Sequence, residues 1–152
     1  MFAVIRIRGS VDVSEDIEDT LRMLKLNVVS RCIIIPETEV YIGMLKKAMG
    51  FITWGKIDNK TLSKLLEKRG KLLGDKSIDE KTLEKITKFK SFDEFSEALI
   101  GGKCNLKDFK DIKPKFKLNP PKHGYKAIRM PYPKGDLGDR KEKINDLLER
   151  MI

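Results

Sequence analysis

Apolar and polar positions change period several times along the chain, and each change marks an element. Phe2, Val4, Ile5 and Ile7 surround Arg6 and Arg8. The alternation tightens towards the end, which predicts a strand over Phe2–Ile7 with one polar, basic face. Gly9-Ser10 turns the chain. Ile17, Leu21 and Leu24 then recur at helical spacing, predicting a helix over Ser14–Lys25. The organising stretch is Arg31–Asp58. There the β-branched run Cys32–Ile35 stops at Pro36, a helical pattern covers Thr38–Met49, Gly50 ends it, and Phe51–Trp54 reads as a strand. Val28–Ile35 is the second strand, so residues 1–58 read β-α-β-α-β.

Beyond Asp58 the pattern is helical and thinner. Lys60–Arg69 buries Leu62, Leu65 and Leu66, with Asp58 or Asn59 as its cap. Ser77-Ile-Asp-Glu80 and Ser91-Phe-Asp-Glu94 have the capping-box pattern and predict two short helices. Gly101-Gly102 stops the second. At the far end Asp139 and Glu142 open a helix whose stripe is Ile144, Leu147, Leu148 and Met151. The expected division is a 1–58 β-α-β-α-β core, a 59–102 helical extension packed on it, a 103–138 extended basic arm, and a 139–152 terminal helix.

Charge changes this picture. The net charge is +9, with 36% charged residues against about 25% in an average globular chain. Seven of those positive charges fall in Lys113–Lys134, KPKFKLNPPKHGYKAIRMPYPK, which has no acid and holds five of the six prolines. The remainder of the chain carries only +2. Such a segment cannot continue a helix or a central strand, so it is expected to be extended. Lysines that neutralise phosphates, with Phe116, Tyr125 and Tyr132 spread among them, suit RNA. A lysine-rich solubilising surface, or a flexible basic tail, is the plainer reading. Against the tail stand the aromatic residues and the patterned helix that follows.

Catalytic and metal signatures are weak. Cys32 and Cys104 are far apart, His123 is near neither, and a zinc site needs about four ligands. The acidic run Glu15, Asp16, Glu18 and Asp19 fits the positive end of a helix dipole. Gly101-Gly102-Lys103-Cys104 lacks the earlier glycine and the Ser/Thr of a phosphate loop. His123 has no orienting carboxylate nearby in sequence. Ile7–Val13 echoes the anion loop of acylphosphatase-like enzymes without its arginine. No run approaches the about 20 apolar residues that cross a bilayer. Two unpaired cysteines and the absence of a signal layout predict a cytoplasmic chain. No cofactor, membrane or small-molecule substrate is expected.

IRIRG at 5–9, DTLRMLKL at 19–26, IIIPET at 33–38, YIGMLKK at 41–47, TWGKID at 53–58 and the arm KPKFKLNPPKHGYKAIRMPYP with DLLERM at 146–151 together resemble the universal large-subunit ribosomal protein family L-thirty, in its archaeal form. The resemblance implies an α+β fold: a three-stranded antiparallel sheet, order 3-1-2, with two helices on one face in a ferredoxin-like split βαβ plan. It also implies a non-catalytic role, holding large-subunit ribosomal RNA near the 5S rRNA beside neighbouring ribosomal proteins. Where family members often carry a basic loop before the second strand, this chain has Asn27–Ser30 and only Arg31. The candidate RNA contacts are Arg6, Arg8, Arg31, Tyr41, Lys46, Lys47, Lys56, Lys113, Lys115, Lys117, Lys122, His123, Tyr125, Lys126 and Arg129. Rival readings are a non-ribosomal RNA-binding module, an RNA-processing enzyme, and a protein-docking role for Lys60–Ile100.

Overall fold

The computed structural model describes residues 1–87 and 89–152. Its elements are β1 (Phe2–Arg6), α1 (Glu15–Met23), β2 (Arg31–Ile35), α2 (Glu39–Lys47), β3 (Ile52–Lys56), α3 (Asn59–Arg69), α4 (Glu80–Thr87), α5 (Phe92–Ile100), β4 (Lys115–Lys117), β5 (Gly138–Asp139) and α6 (Ile144–Met151).

The sheet has five strands in the order β4-β2-β1-β3-β5, not the three expected. The inner three are antiparallel, with Ile5 opposite both Cys32 and Thr53. β4 and Gly138 of β5 come from the segment expected to be an extended basic arm, and Asp139 from the start of the expected terminal helix. Lys115-Phe116-Lys117 pairs antiparallel with Ile33-Cys32-Arg31, and Gly138-Asp139 runs parallel to Thr53-Trp54. The physical reason is the apolar content of the segment. Phe116 and Leu118 are almost wholly buried, and each stabilises the docked arm by roughly 1.5–3 kcal/mol. Lys115 and Lys117 point outward, the usual dress of an edge strand.

Alternation along the strands splits the core in two. Val4, Ile33, Ile35, Ile52 and Trp54 face α1 and α2 through Leu21, Leu24 and Leu45. Ala3, Ile5, Cys32 and Ile34 face the opposite layer, where α3, α5 and α6 contribute Leu62, Leu66, Phe95, Ile144 and Leu148. The extension and the arm therefore complete the fold by covering the second face of the sheet. Trp54 is a core residue, 8% exposed.

Caps follow local chemistry. The Thr38 and Ser91 hydroxyls accept from the Tyr41 and Glu94 amides. Ser77, expected to open a helix, instead bridges to Lys71, and the Asp79 carbonyl accepts the first bonds of α4. Asp139 receives the Lys141 amide, but a 3-10 turn over Lys141–Lys143 precedes α6. Both cysteines are free, and burial pushes the Cys32 thiol up to about 12. Among the described residues no helix is long and apolar enough to cross a membrane.

Candidate nucleic-acid interface

Register decides where the cations go. β1 ends at Arg6, β2 begins at Arg31 opposite Lys117, and β3 begins at Ile52 opposite Arg6. These positions all lie at one end of the sheet. The last turn of α2, with Lys46 and Lys47, leads into β3 at the same end. β4 leaves the sheet there and β5 joins it there, so residues 118–137 cross this end from one edge to the other. Lys122, His123, Lys126, Arg129 and Lys134 are exposed along that crossing.

The two ends differ in how their cations are paired. At the opposite end Lys56 meets Glu37 at 3.5 Å, and Lys113 meets Asp75 at 2.7 Å. The Lys113 ammonium, by hydrogen bond and charge, holds the Asp75 carboxyl below its ordinary value. At the basic end, Lys47 lies 3.8 Å from Asp16 of the acidic first turn of α1. Among the described residues neither Lys115 nor Lys117 is ion-paired with an acid. Arg31 and Lys117 stand directly opposite one another. Like charges in that relation are destabilising on their own, and an anion laid along the β2–β4 edge relieves the repulsion.

Arg6 leaves the set of surface contacts. It is 2% exposed, and its guanidinium donates to the carbonyls of Arg8 and Leu26, at 2.8 and 2.7 Å, and to Ser10 Oγ at 2.9 Å. Burial lowers its pKa from the ordinary arginine value. The alternation of β1 gave the correct face, but α1 and α2 cover that face. Arg6 fastens the chain after α1 to the sheet end instead. Arg6→Ala is expected to cost about 2 kcal/mol of stability, because three charge-assisted bonds are lost, and to leave the salt dependence of RNA binding unchanged. Thermal melts and filter-binding titrations check the two halves of that statement.

Arg8 is half-buried; it donates to the Gly50 carbonyl at 3.1 Å and its guanidinium carbon lies 4.8 Å from the centre of the Phe51 ring. Tyr41 is half-buried beside the apolar layer of α1 and α2. Tyr125 is half-buried with its hydroxyl on Met151 Sδ. Two further residues join the region: Tyr132, one of the aromatics spread along the arm, and Arg150 in α6, which the sequence reading did not single out and whose Nη1 reaches the carbonyls of Lys122 and Gly124 at 3.4 and 3.5 Å. For Arg150 the signal was slight: it falls off the apolar stripe of its helix.

A basic α+β protein whose covered sheet gathers cations at one end is of the class suited to a polyanionic partner. The comparisons with known proteins make this specific. The family described as ribosomal protein L30p/L7e matches residues 2–49. The chain is 42% identical to large ribosomal subunit protein uL30 of Archaeoglobus fulgidus over 99% of both chains. It is 44% identical to that of Methanobrevibacter smithii over 100% of both, and 40% identical to that of Methanocorpusculum labreanum over 99% of both. The chain belongs to the ribosomal protein L30p/L7e family, in its archaeal form.

Proposed function

We propose that the chain holds ribosomal RNA segments in register with the basic end of its sheet, as a structural constituent of the large ribosomal subunit. Membership of the family carries the assignment to that particle in the cytoplasm, with ribosomal RNA and neighbouring ribosomal proteins as partners. The family's role is structural rather than catalytic. The observation that carries the mode of binding is the pairing of charges. Lys56 and Lys113 are ion-paired with acids of the protein, whereas Lys117 stands opposite Arg31, and neither Lys117 nor Lys115 is in an ion pair among the described residues.

Phosphates are the ligands this arrangement suits, since cations on strands and an irregular crossing segment follow a backbone and read RNA shape. Arg31, Lys115, Lys117, Lys122, Lys126 and Arg129 are the contacts favoured by exposure and placement. A site near the 5S rRNA is part of the proposal; the resemblance of the sequence to the family supports it.

Deleting the arm is a poor test, because β4 and β5 go with it. Replacing Lys115, Lys117, Lys122 and Lys126 by Gln is expected to keep the fold, because all four side chains are exposed. Each neutralised phosphate contributes about 0.7 to the log–log salt slope on single-stranded segments. The fourfold variant is therefore expected to lose about three units of slope on purified large-subunit ribosomal RNA. A slope equal to that of the natural protein refutes the phosphate role of these lysines. Hydroxyl-radical footprints from the arm, mapped on assembled subunits, test the 5S neighbourhood.

A further inference from the structure

The crossing segment frames an open hollow of about 440 Å³ against the end of α6, within the ~300–1,000 Å³ range of small-molecule sites. Tyr125 and Tyr132 line it, together with His123, Lys126 and Arg150. Its acid, Asp136, is 3% exposed and already joined to Arg140. The remaining charge at the wall is positive. Resting on the RNA-binding reading above, we propose that this cavity receives a single unpaired nucleotide of the RNA, its base against the tyrosine rings and its phosphate on Lys126 or Arg150.

Three observations converge on that ligand. The first is the mixture of walls. Two aromatic rings beside cations match a nucleotide, which offers a flat face and an anion, and such ring–base stacking tolerates any base. The second is donor availability. Arg150 uses Nη1 for two long bonds to carbonyls, and its other N–H groups leave a fork that suits a phosphate. Lys126 Nζ is engaged only weakly, 3.5 Å from the Pro133 carbonyl.

The third is preorganisation. The Ala127 amide bonds Asp136 Oδ2 at 2.9 Å, and the Asp136 amide returns to the Ala127 carbonyl at 3.0 Å. Tyr132 and Gly135 donate to Leu137 and Pro131, and Lys122 donates to the Arg150 carbonyl. The Tyr125 ring is anchored through its hydroxyl on Met151 Sδ, and the Arg140 guanidinium lies 5.4 Å from the centre of the Tyr132 ring, which remains 38% exposed. A loop held this way loses little freedom on binding.

The test uses full-length protein and purified large-subunit ribosomal RNA in filter-binding titrations over a range of salt. Tyr125→Leu and Tyr132→Leu are each expected to weaken binding about tenfold at fixed salt with the slope unchanged, because stacking releases no counterions. Tyr125→Phe and Tyr132→Phe are expected to bind as the natural protein does. Ultraviolet cross-linking of assembled subunits is expected to leave one defined nucleotide on Tyr125 or Tyr132. Tyr132 is a surface residue, so its variants fold; melting curves check this for Tyr125. Unchanged affinity in both Leu variants overturns the nucleotide pocket while a steep salt slope keeps the RNA-binding reading. A fall of about one unit in slope that Phe does not restore also overturns it, in favour of a phosphate contact alone. Salt-independent or absent binding by the natural protein sinks the wider reading and the pocket with it.

Discussion

Gly55→Ala is expected to lower the melting temperature by about 10 °C, the result of roughly 3 kcal/mol or more in a domain of this size. Gly55 sits in β3 opposite Ala3, on the face covered by α6. A β-carbon there would overlap the Lys141 carbonyl oxygen and come within 2.9 Å of Ile144 Cβ. Neither is the flexible tip of a side chain. The 3-10 turn and α6 must move away together, and two further ties go with them: the Asp58 amide to Asn145 Oδ1 at 3.1 Å, and Asn145 Nδ2 to the Lys56 carbonyl at 3.2 Å. Behind them Ile144, Leu147, Leu148 and Met151 are fully buried, so even a small displacement opens the second core. Gly43→Ala is the matched control. It lies within α2 with nothing near its missing β-carbon, and it is expected to gain about 0.5–1 kcal/mol from helix propensity. Melts followed by Trp54 fluorescence and by circular dichroism report both changes. If Gly55→Ala melts with the natural protein, the close approach of β3 and α6 is not what holds the C-terminal segment.

The parts of this fold that announced themselves did so by period. The β-branched run at Cys32–Ile35, the row Ile17, Leu21 and Leu24, and the stripe from Ile144 to Met151 each repeat at the spacing of their element. Each is buried in whole or large part. The two edge strands were obscured for different reasons. Lys115-Phe116-Lys117-Leu118 does alternate, but prolines at 114, 120 and 121 pointed to an extended arm rather than to a strand of the sheet. Pro cannot serve a central strand and is harmless beside an edge one. Gly138-Asp139 is too short to show any period. Ser77 mimicked a cap because the pattern of Ser and Glu is local, whereas its bridge to Lys71 depends on where the chain turns at Gly74.

The candidate interface was legible as chemistry and only partly as geometry. Net charge and the acid-free run pointed to a polyanion. Which cations remain available was settled by tertiary partners that no spacing encodes. Arg6 ends β1 and Arg8 lies two residues further on, in the bend that follows. Yet Leu26 and Ser10 claim the first, while the second stays half-exposed over Phe51. Lys113 and Lys115 are likewise separated by two residues, and only the first is ion-paired with Asp75. Tyr132 and Arg150 meet around one cavity from positions eighteen residues apart, a proximity created by the return of the chain from β4 to β5.

Asp136→Ala is expected to cost about 3–5 kcal/mol, because it strands a buried guanidinium. Asp136 and Arg140 are 3% and 7% exposed. Arg140 Nη2 donates to Asp136 Oδ1, its Nε donates to Thr53 Oγ1 at 3.1 Å, and the Thr53 hydroxyl donates to the Gly138 carbonyl at 2.9 Å. Asp136 Oδ2 meanwhile accepts the Ala127 amide. This knot fastens the returning segment to β3, since the Arg140 amide also bonds the Trp54 carbonyl at 2.8 Å. Losing the carboxylate leaves a cation and an amide unsatisfied at once. Losing both charges leaves neither charge stranded, so Asp136→Ala with Arg140→Met is expected to recover at least half of the deficit, which a double-mutant cycle in denaturant measures. Limited trypsin digestion gives a second readout. Lys126, Arg129 and Lys134 lie in the loop that the knot closes, so cleavage there is expected to accelerate in Asp136→Ala and to slow again in the double variant. Equal cleavage rates in the natural protein and Asp136→Ala, with additive stability losses in the cycle, exclude this pair as the fastening of the basic crossing segment.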